Sequence, residues 1–550
     1  MEQAGTLTEM FEAAVRRYAA RPCLEFLGRS WNYAEVAALV ARAGAGLQLL
    51  GVQPGDRVGL CLPNSLHYVV SYFAIQRIGA VVVNFNPLSA EVELDVQARD
   101  AGVAVMITTD LAPVLGRVLM MLDSQAIACV VACPFAENLP LLKSWGFRLT
   151  KRAMVNRIPA DRAVVWPWSR LLQVPPGEAV HVKPEDLAVL QYTGGTTGAP
   201  KGVMLTHANL TTNAAQVRAW FPDSRLGEER VLAVLPLFHV FAMTVAMNAA
   251  IGWGAEIILQ PRFEFDMLLA ALRRRRPSII PGVPTLYKAI LDKGATAADL
   301  ASVRVCISGG APLPHEIQSK FEAAAGCRLV EGYGLTEASP VCFCNPVASG
   351  GRDGTIGLPL PGVEAEIHAI APPHALQPLG TSGELWLRGP NVMQGYWNRP
   401  EETAATLTPD GWLRTGDVGI MDGDGYVELV DRIKDLILCS GFNVYPRAIE
   451  EALYHHHDVV GAIAVGMPDP YRGESVAAFV QLSPGSTATP ATLRAFLDDK
   501  LSPIEMPRHI EIRATLPLTA VGKLSRKELR AELLATPVTS MQTPSESATH

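Results

Sequence analysis

Along the first 190 or so residues, short apolar runs bounded by turn residues alternate with segments that are apolar at helical spacing. "DRVGLCLP", "AVVVNFN" and "GVAVMITT" read as strands, "LTEMFEAAVRRYAA" and "AEVAALVARAGAGLQLLG" as helices. A chain with that alternation can bury its apolar faces only as sheets covered by helices, the α/β class. The pattern resumes with "AEIILQP", "PSIIPGVP" and "VRVCISGGAPLP". After about residue 355 it shifts toward strands: "GVEAEIHAI", "GELWLRG" and "GYVELVDR". A smaller α/β unit follows, with helices expected at "PRAIEEALYHH" and "PATLRAFLDDKL" and strands at "VVGAIAVGM", "ESVAAFVQL" and "HIEIRATL". At 550 residues the chain exceeds what one core organises. The expected division is a large domain over 1–431, a small one over 432–532 and a Ser/Thr/Pro-rich disordered tail over 533–550, with the boundary near Arg432 to Asp435.

Composition excludes several classes. A net charge of -7 argues against a chain built to coat nucleic acid or anionic lipid, while leaving room for local basic pockets. The nine cysteines are scattered, and neither Cys129/Cys133 nor Cys342/Cys344 has the companion ligands of a zinc site, so buried, reduced thiols are expected. The N-terminus has no apolar h-region, and a cytoplasmic protein is expected. Val231 to Ala255 carries no Asp, Glu, Lys or Arg and is long enough to be a membrane-helix candidate. Pro236, His239, Asn248 and two glycines favour a strand followed by a buried helix. The "RRRR" run at 273–276 reads as a solvated helix end, with a basic patch for CoA or a membrane surface as the rival, and the triple histidine at 455–457 as a helix terminus.

"TGGTTGAPKG" at 193–202 is a glycine-rich loop whose one charge is Lys201. Read as a turn between strand and helix, it would offer backbone N–H groups, the Thr193, Thr196 and Thr197 hydroxyls and one mobile cation to a phosphate. It is not a P-loop, because Lys201 follows Pro200 and precedes Gly202. Two further glycine-bearing turns follow β-rich runs, "SGGAPLP" at 308–314 and "EGYGLTEASP" at 331–340. The second joins Tyr333, a flat face for a base, to Thr336, a phosphate donor, and Glu337, an oxygen ligand of the kind Mg²⁺ takes. "GWLRTGDVG" brings Asp417, "DRIKD" brings Arg432 and Lys434, and "TAVGKLSRKEL" brings Lys523. Taken singly, these are a turn acid, a surface ion pair and solvated lysines.

In this order the set resembles the adenylate-forming superfamily of acyl-CoA synthetases, luciferases and peptide-synthetase adenylation domains, over residues 8 to 532. "YTGGTTGAPKGVMLTH", "EGYGLTE", "GWLRTGD", "DRIKDLI" and "GFNVYPRAIE" carry the resemblance. "PLFHVFAMTV" and "VMQGYWNRPEET" look most like the bacterial long-chain fatty-acid CoA ligases. The resemblance implies a large α/β domain with a β-rich subdomain and a small mobile α+β domain. It implies attack of a carboxylate on the α-phosphate of ATP, giving acyl-AMP and pyrophosphate, and then displacement of AMP by the thiol of coenzyme A.

By the same resemblance, Thr193, Gly194, Gly195, Thr196, Thr197, Gly198 and Lys201 would hold the β- and γ-phosphates. Gly310 and Ala311 would border the adenine, with Tyr333 stacked on it between Gly332 and Gly334. Thr336 would touch the α-phosphate and Glu337 would bind Mg²⁺. Asp417 would accept from the ribose hydroxyls beside Arg432, and Lys523 would be the catalytic lysine. Lys434 would be the hinge, Gly441 would line the pantetheine tunnel, and His239 would be a gate residue. Phe238, Phe241, Met243, Val283 and Pro284 are expected along an acyl channel for a medium- or long-chain fatty acid. An aryl acid, a carrier-protein acceptor and a non-catalytic sensor are the rival readings; peripheral contact with the inner membrane face and a homodimer are left open. Glu505, in "IEMP" where relatives often carry a lysine, departs from the pattern and bears on the CoA contacts.

Overall fold

The computed structural model describes residues 5–159, 162–193, 200–348, 351–440, 442–469, 471–518 and 524–535. Gly194, Gly195, Thr196, Thr197, Gly198, Gly441, Lys523 and the C-terminal tail from residue 536 lie outside the described residues. The chain is mixed α/β, as the alternation predicts, and divides into two compact units.

The first unit comprises Met1–Ala365 and Leu387–Leu413 and contains a nine-stranded and an eight-stranded sheet. In the nine-stranded sheet, Pro22–Phe26, Glu256–Leu259, Arg230–Ala233, Ile279–Gly282, Val305–Gly309 and Arg328–Gly334 run parallel in that spatial order. Such strands are covered on both faces, which is why "VLA" and "EIIL" are buried without alternation. In the eight-stranded sheet Arg57–Cys61 lies between Val81–Asn84 and Val103–Thr109, all parallel. The helix Leu66–Arg77 is buried from Leu66 to Gln76, as a helix apolar all round must be. Its first turn is closed by Ser65 Oγ, which accepts from Tyr68 N at 3.3 Å.

The uncharged stretch from Val231 to Ala255 resolves into the strand Arg230–Ala233, a π-helical segment Ala242–Asn248 and the helix Ala249–Trp253. Both helical segments are buried apart from Gly252, and no helix among the described residues is long and apolar enough to cross a membrane. The arginine run ends the helix Phe265–Arg275. Arg273 grips Asp299 with two bonds of 2.6 and 3.3 Å, and Arg275 pairs with Glu256. His455 caps the helix Pro446–Tyr454. All nine cysteines are free thiols, eight of them buried.

One expectation is corrected. The glycine-rich loop does not lead into a helix: Leu187–Thr193 and Lys201–Thr206 pair antiparallel, with Thr193 opposite Lys201, and the next helix starts at His207. "KGVML" lies in a largely buried strand, so the described chain after the loop continues as sheet and not as helix.

The second unit comprises Glu366–Trp386 and Arg414–His550. Here the β-rich stretch forms a four-stranded sheet, which ends with Leu413–Met421 paired antiparallel to Val427–Arg432. A five-stranded sheet follows, centred on the long antiparallel pair Val459–Asp469 and Gly473–Leu482. One apolar face takes the helices Pro446–Tyr454 and Pro490–Leu497 through Ile449, Leu453, Leu493 and Leu497. Ile463, Val465, Ala477 and Phe479 pack with Leu529 and Leu533 of the helix Arg526–Ala535.

Candidate active site

In the first unit the site is built at the carboxyl ends of parallel strands, where open α/β sheets leave their crevice. Val305–Gly309 and Arg328–Gly334 lie side by side with Gly309 opposite Gly332, so Gly310 and Ala311 leave one strand beside Tyr333 on the next. Gly310 has φ +82°, left-handed backbone that favours glycine. A Cβ on Gly334 would lie 1.7 Å from the carbonyl oxygen of Pro340, because Leu335 N bonds that same oxygen at 3.1 Å and folds the chain tightly back. The half-buried Tyr333 ring meets Phe343 edge-on at 6.2 Å. Thr336 and Glu337 sit in the single 3₁₀ turn Thr336–Ala338 that this reversal creates.

The turn is held from two sides. Thr244 Oγ1, in the π-helical segment, donates to Ser339 O at 2.7 Å. The chain at 391–396 supplies Asn391 Nδ2 to Ala338 O at 2.8 Å, Met393 N to Glu337 O at 2.8 Å, and the Tyr396 hydroxyl to Glu337 Oε1 at 2.8 Å. Tyr396 lies in the short strand Gly395–Tyr396, opposite Val203 of the hairpin, and the Lys201 ammonium sits 4.9 Å over its ring. Tyr396 thus joins the hairpin's cation to the carboxylate. Burial and the Glu337 charge push its hydroxyl well above the usual phenol range, so it remains a donor. Asp100 ties the same parts further out, accepting from Tyr192 Oη at 2.5 Å and Arg399 at 2.8 Å, with its carbonyl bound to Trp397 Nε1 at 3.1 Å.

His239 is half-buried, and its Nδ1 accepts from Phe241 N at 3.4 Å. Phe241 closes over the strand end, for a Cβ on Gly309 would lie 3.0 Å from its ring. Phe238 and Phe241 are half-buried, whereas Met243 is fully buried with its sulfur accepting from Asn84 Nδ2 at 3.4 Å. Val283 packs into the apolar core with Leu286 and Tyr287.

The second unit holds the remaining described candidates. Asp417 and Arg432 are directly opposite on paired strands, and Arg432 Nε donates to Asp417 Oδ1 at 3.1 Å. Asp417 is nearly buried, and its backbone N–H is held by Thr415 Oγ1 at 3.0 Å. Glu384, 2% exposed, braces the bend by accepting from Gly416 N at 3.1 Å, Trp386 Nε1 at 2.9 Å and Arg414. Lys434 lies in the 3₁₀ turn Ile433–Asp435 that directly follows. Asp435 pairs at 3.4 Å with Arg526, whose guanidinium also binds both oxygens of Glu450, at 2.6 and 3.2 Å. Arg526 stands three positions after Lys523, so the ion pair fixes the chain next to that lysine to the turn carrying Lys434. Glu505 is engaged locally, its Oε2 accepting from Ser502 N at 2.9 Å and Ser502 Oγ at 2.6 Å.

The structure therefore brings Lys201 together with Glu337, Gly310 and Ala311 with Tyr333, and Asp417 with Arg432. Sequence reasoning missed Tyr396, Glu384 and Arg526 as supports. Tyr396 is visible in "VMQGYWNRPEET", but a tyrosine's hydroxyl partner cannot be read from a motif.

Comparison with known proteins places the chain in a family. Residues 11–397 match the family model described as AMP-binding enzyme, and residues 448–523 match the AMP-binding enzyme C-terminal domain. The chain is 40% identical to a long-chain-fatty-acid–CoA ligase of Bacillus subtilis strain 168, over 96% of this chain and 94% of the relative. It is 35% identical to a feruloyl-CoA synthase of Amycolatopsis, over 92% of this chain and 94% of that one. Among solved structures, ATP-bound MatB from Rhodopseudomonas palustris superposes with a TM-score of 0.84 at 28% identity, covering 96% of this chain and 98% of that one.

Proposed function

The chain belongs to the AMP-binding enzyme family, and from that we propose that it activates a medium- or long-chain fatty acid with ATP and passes the acyl group to coenzyme A. It is an AMP-forming acid–thiol ligase. One observation carries the site assignment: the Tyr396 bridge that sets Lys201 and Glu337 on either side of one ring.

A carboxylate is a poor acyl donor, and adenylation turns one of its oxygens into part of a good leaving group. No protein nucleophile is needed, so catalysis rests on positioning and charge stabilisation. Lys201 and the loop at 193–198 would hold the β- and γ-phosphates, and Thr336 would donate to the α-phosphate. Tyr333 would offer its ring to the adenine beside Gly310 and Ala311. Asp417, oriented by Arg432, would accept from the ribose hydroxyls.

The Glu337 carboxylate fits Mg²⁺: Tyr396 occupies Oε1, a hard oxygen remains, and this ion keeps waters and phosphates as its other ligands. When bound there, Mg²⁺ would neutralise phosphate charge. Lys523 would bridge the substrate carboxylate and the α-phosphate in the first step. A rotation about Lys434 would replace it with the turn at Gly441 for the second, with 1–431 and 432–532 as the parts that move. Glu505 is held by Ser502 but keeps its charge, so it would disfavour CoA phosphates placed beside it.

The fatty acid is favoured over an aryl acid by the closer match to the fatty-acid ligase. Phe238, Phe241 and His239 would stand at the mouth of the acyl site. Peripheral contact with the inner membrane face, where fatty acids partition, and a homodimer complete the reading.

The test is AMP release over C4 to C18 fatty acids and aryl acids, with and without CoA. CoA-dependent release rising with chain length supports the proposal. Release that needs a carrier protein, or only an aryl acid, overturns it. Lys523→Ala should abolish carboxylate-dependent pyrophosphate exchange yet spare thioester formation from supplied acyl-AMP.

A further inference from the structure

The helix Leu141–Thr150 has no buried residue. It is attached by its inner side, where Phe147 meets Phe135 at 5.4 Å between ring centroids and Lys143 Nζ donates to Leu27 O at 2.7 Å. At about 100° per residue, Leu141, Leu142, Trp145 and Leu149 share one stripe roughly 100° wide, on the side opposite Phe147. They are 86, 90, 74 and 72% exposed. Single exposed leucines are ordinary, but four large apolar side chains aligned on one outward face are not.

The charge around the stripe has one sign. Between Glu137 and Asp161 the chain has five basic residues, Lys143, Arg148, Lys151, Arg152 and Arg157, and no acid. Arg148, Lys151, Arg152 and Arg157 are exposed, and none pairs with a carboxylate among the described residues. Met154, on the next turn, is 42% exposed and extends the apolar surface. Glu137, the nearest acid before the helix, faces His67 at 3.9 Å.

We propose that the helix Leu141–Thr150 and the basic segment after it are an interfacial anchor that docks this protein on an anionic lipid bilayer. An apolar face bearing Trp and Leu, with Lys and Arg at its borders, is what lies in the plane of a headgroup layer. Tryptophan suits that depth because its ring is apolar and its N–H is polar. Each cation near an anionic leaflet strengthens binding by about fivefold. The charge also disfavours a second copy as occupant, since a symmetric contact would set these cations against their own counterparts. The overall charge of -7 does not oppose docking, because the cations are concentrated beside the apolar stripe. The arginine run at 273–276 is the weaker candidate, since Arg273 and Arg275 are spent on Asp299 and Glu256. The anchor rests on the proposed membrane contact and is independent of the ligase chemistry.

The test is co-sedimentation of the full chain with vesicles of phosphatidylglycerol and phosphatidylcholine, compared with vesicles of phosphatidylcholine alone. The wild type should bind the anionic vesicles about tenfold or more tightly than the neutral ones. Leu142→Ser/Trp145→Ser should lose about tenfold of that affinity or more, with ATP–pyrophosphate exchange on a soluble medium-chain fatty acid and the melting temperature unchanged. Lys151→Gln/Arg152→Gln should also weaken binding and flatten its salt dependence. A wild type that ignores anionic vesicles overturns the membrane contact itself, while the exchange assay reports separately on the ligase. If the wild type binds and both variants bind equally well, the anchor is overturned. A change from dimer to monomer in the apolar variant without loss of lipid binding would make the face a self-association surface.

Discussion

The Tyr396 hydroxyl donates to Glu337 Oε1 at 2.8 Å while the Lys201 ammonium rests 4.9 Å from the centre of the same ring. One side chain is therefore shared between the cation of the glycine-rich hairpin and the carboxylate of the 336–338 turn. Replacing Tyr396 with Phe would keep the ring under Lys201 and remove only the donor to Glu337. A hydrogen bond to a charged group contributes about 1.5–3 kcal/mol. The expected result is a roughly ten- to hundredfold fall in kcat/KM for ATP–pyrophosphate exchange, with a raised Mg²⁺ requirement. Tyr396→Leu should cost more, because Lys201 also loses its ring; steady-state kinetics over a Mg²⁺ titration separates the two.

Asp417 and Arg432 give a second test in the other unit. Asp417→Asn preserves shape but weakens acceptance from both Arg432 and a ribose. The KM for ATP should rise about tenfold or more with little change in the affinity for the fatty acid, as read by initial rates with each substrate varied. An equal effect on both substrates would mark a loss of structure instead.

The pH dependence of stability should carry the signature of His207. Its imidazole is buried against the first helix, Nδ1 accepts from Leu7 N at 3.2 Å, and burial pushes its pKa down from 6.5 to about 4. The folded state holds the neutral ring, so the stabilisation is complete above about pH 6.5. It is lost as pH falls toward about 4, where the unfolded chain is already protonated. The difference amounts to about 3 kcal/mol. Asparagine at 207 can still accept from Leu7 N without titrating. Urea unfolding at pH 7.5 and pH 4.5 should therefore show a smaller acid loss in His207→Asn than in the wild type.

Arg526 answers a fourth question, how the segment beside Lys523 is fixed. Arg526→Ala would leave Glu450 buried and unpaired, and burial already pushes that carboxyl up against the pull of Arg526. Breaking such a pair costs about 3–5 kcal/mol when fully buried. With 30% of the Arg526 side chain still in solvent, about 2–3 kcal/mol is expected here. The double variant Arg526→Met/Glu450→Leu should recover much of the stability in urea unfolding, but not the pyrophosphate exchange rate if Arg526 positions Lys523.

The sequence by itself determined the α/β class, the main strand and helix runs and the candidate residues proposed for ATP. Apolar periodicity and glycine placement are local properties, and local sterics read them without knowing the partners. "VVGAIAVGM" and "ESVAAFVQL" needed only their β-branched runs to be seen as strands, and they pair as Val459–Asp469 with Gly473–Leu482. Only the tertiary structure decided that the glycine-rich loop joins two strands, because "KGVML" is stabilised by pairing with "LAVLQY" and "GY", a contact that spans almost two hundred residues of sequence. It alone decided that Tyr396 bridges Lys201 and Glu337, that Glu384 braces the bend before Asp417, and that Leu141, Leu142, Trp145 and Leu149 remain uncovered. Each depends on which side chain a distant segment delivers, and hydrogen bonds and burial are made between elements, where no local pattern in the chain records them.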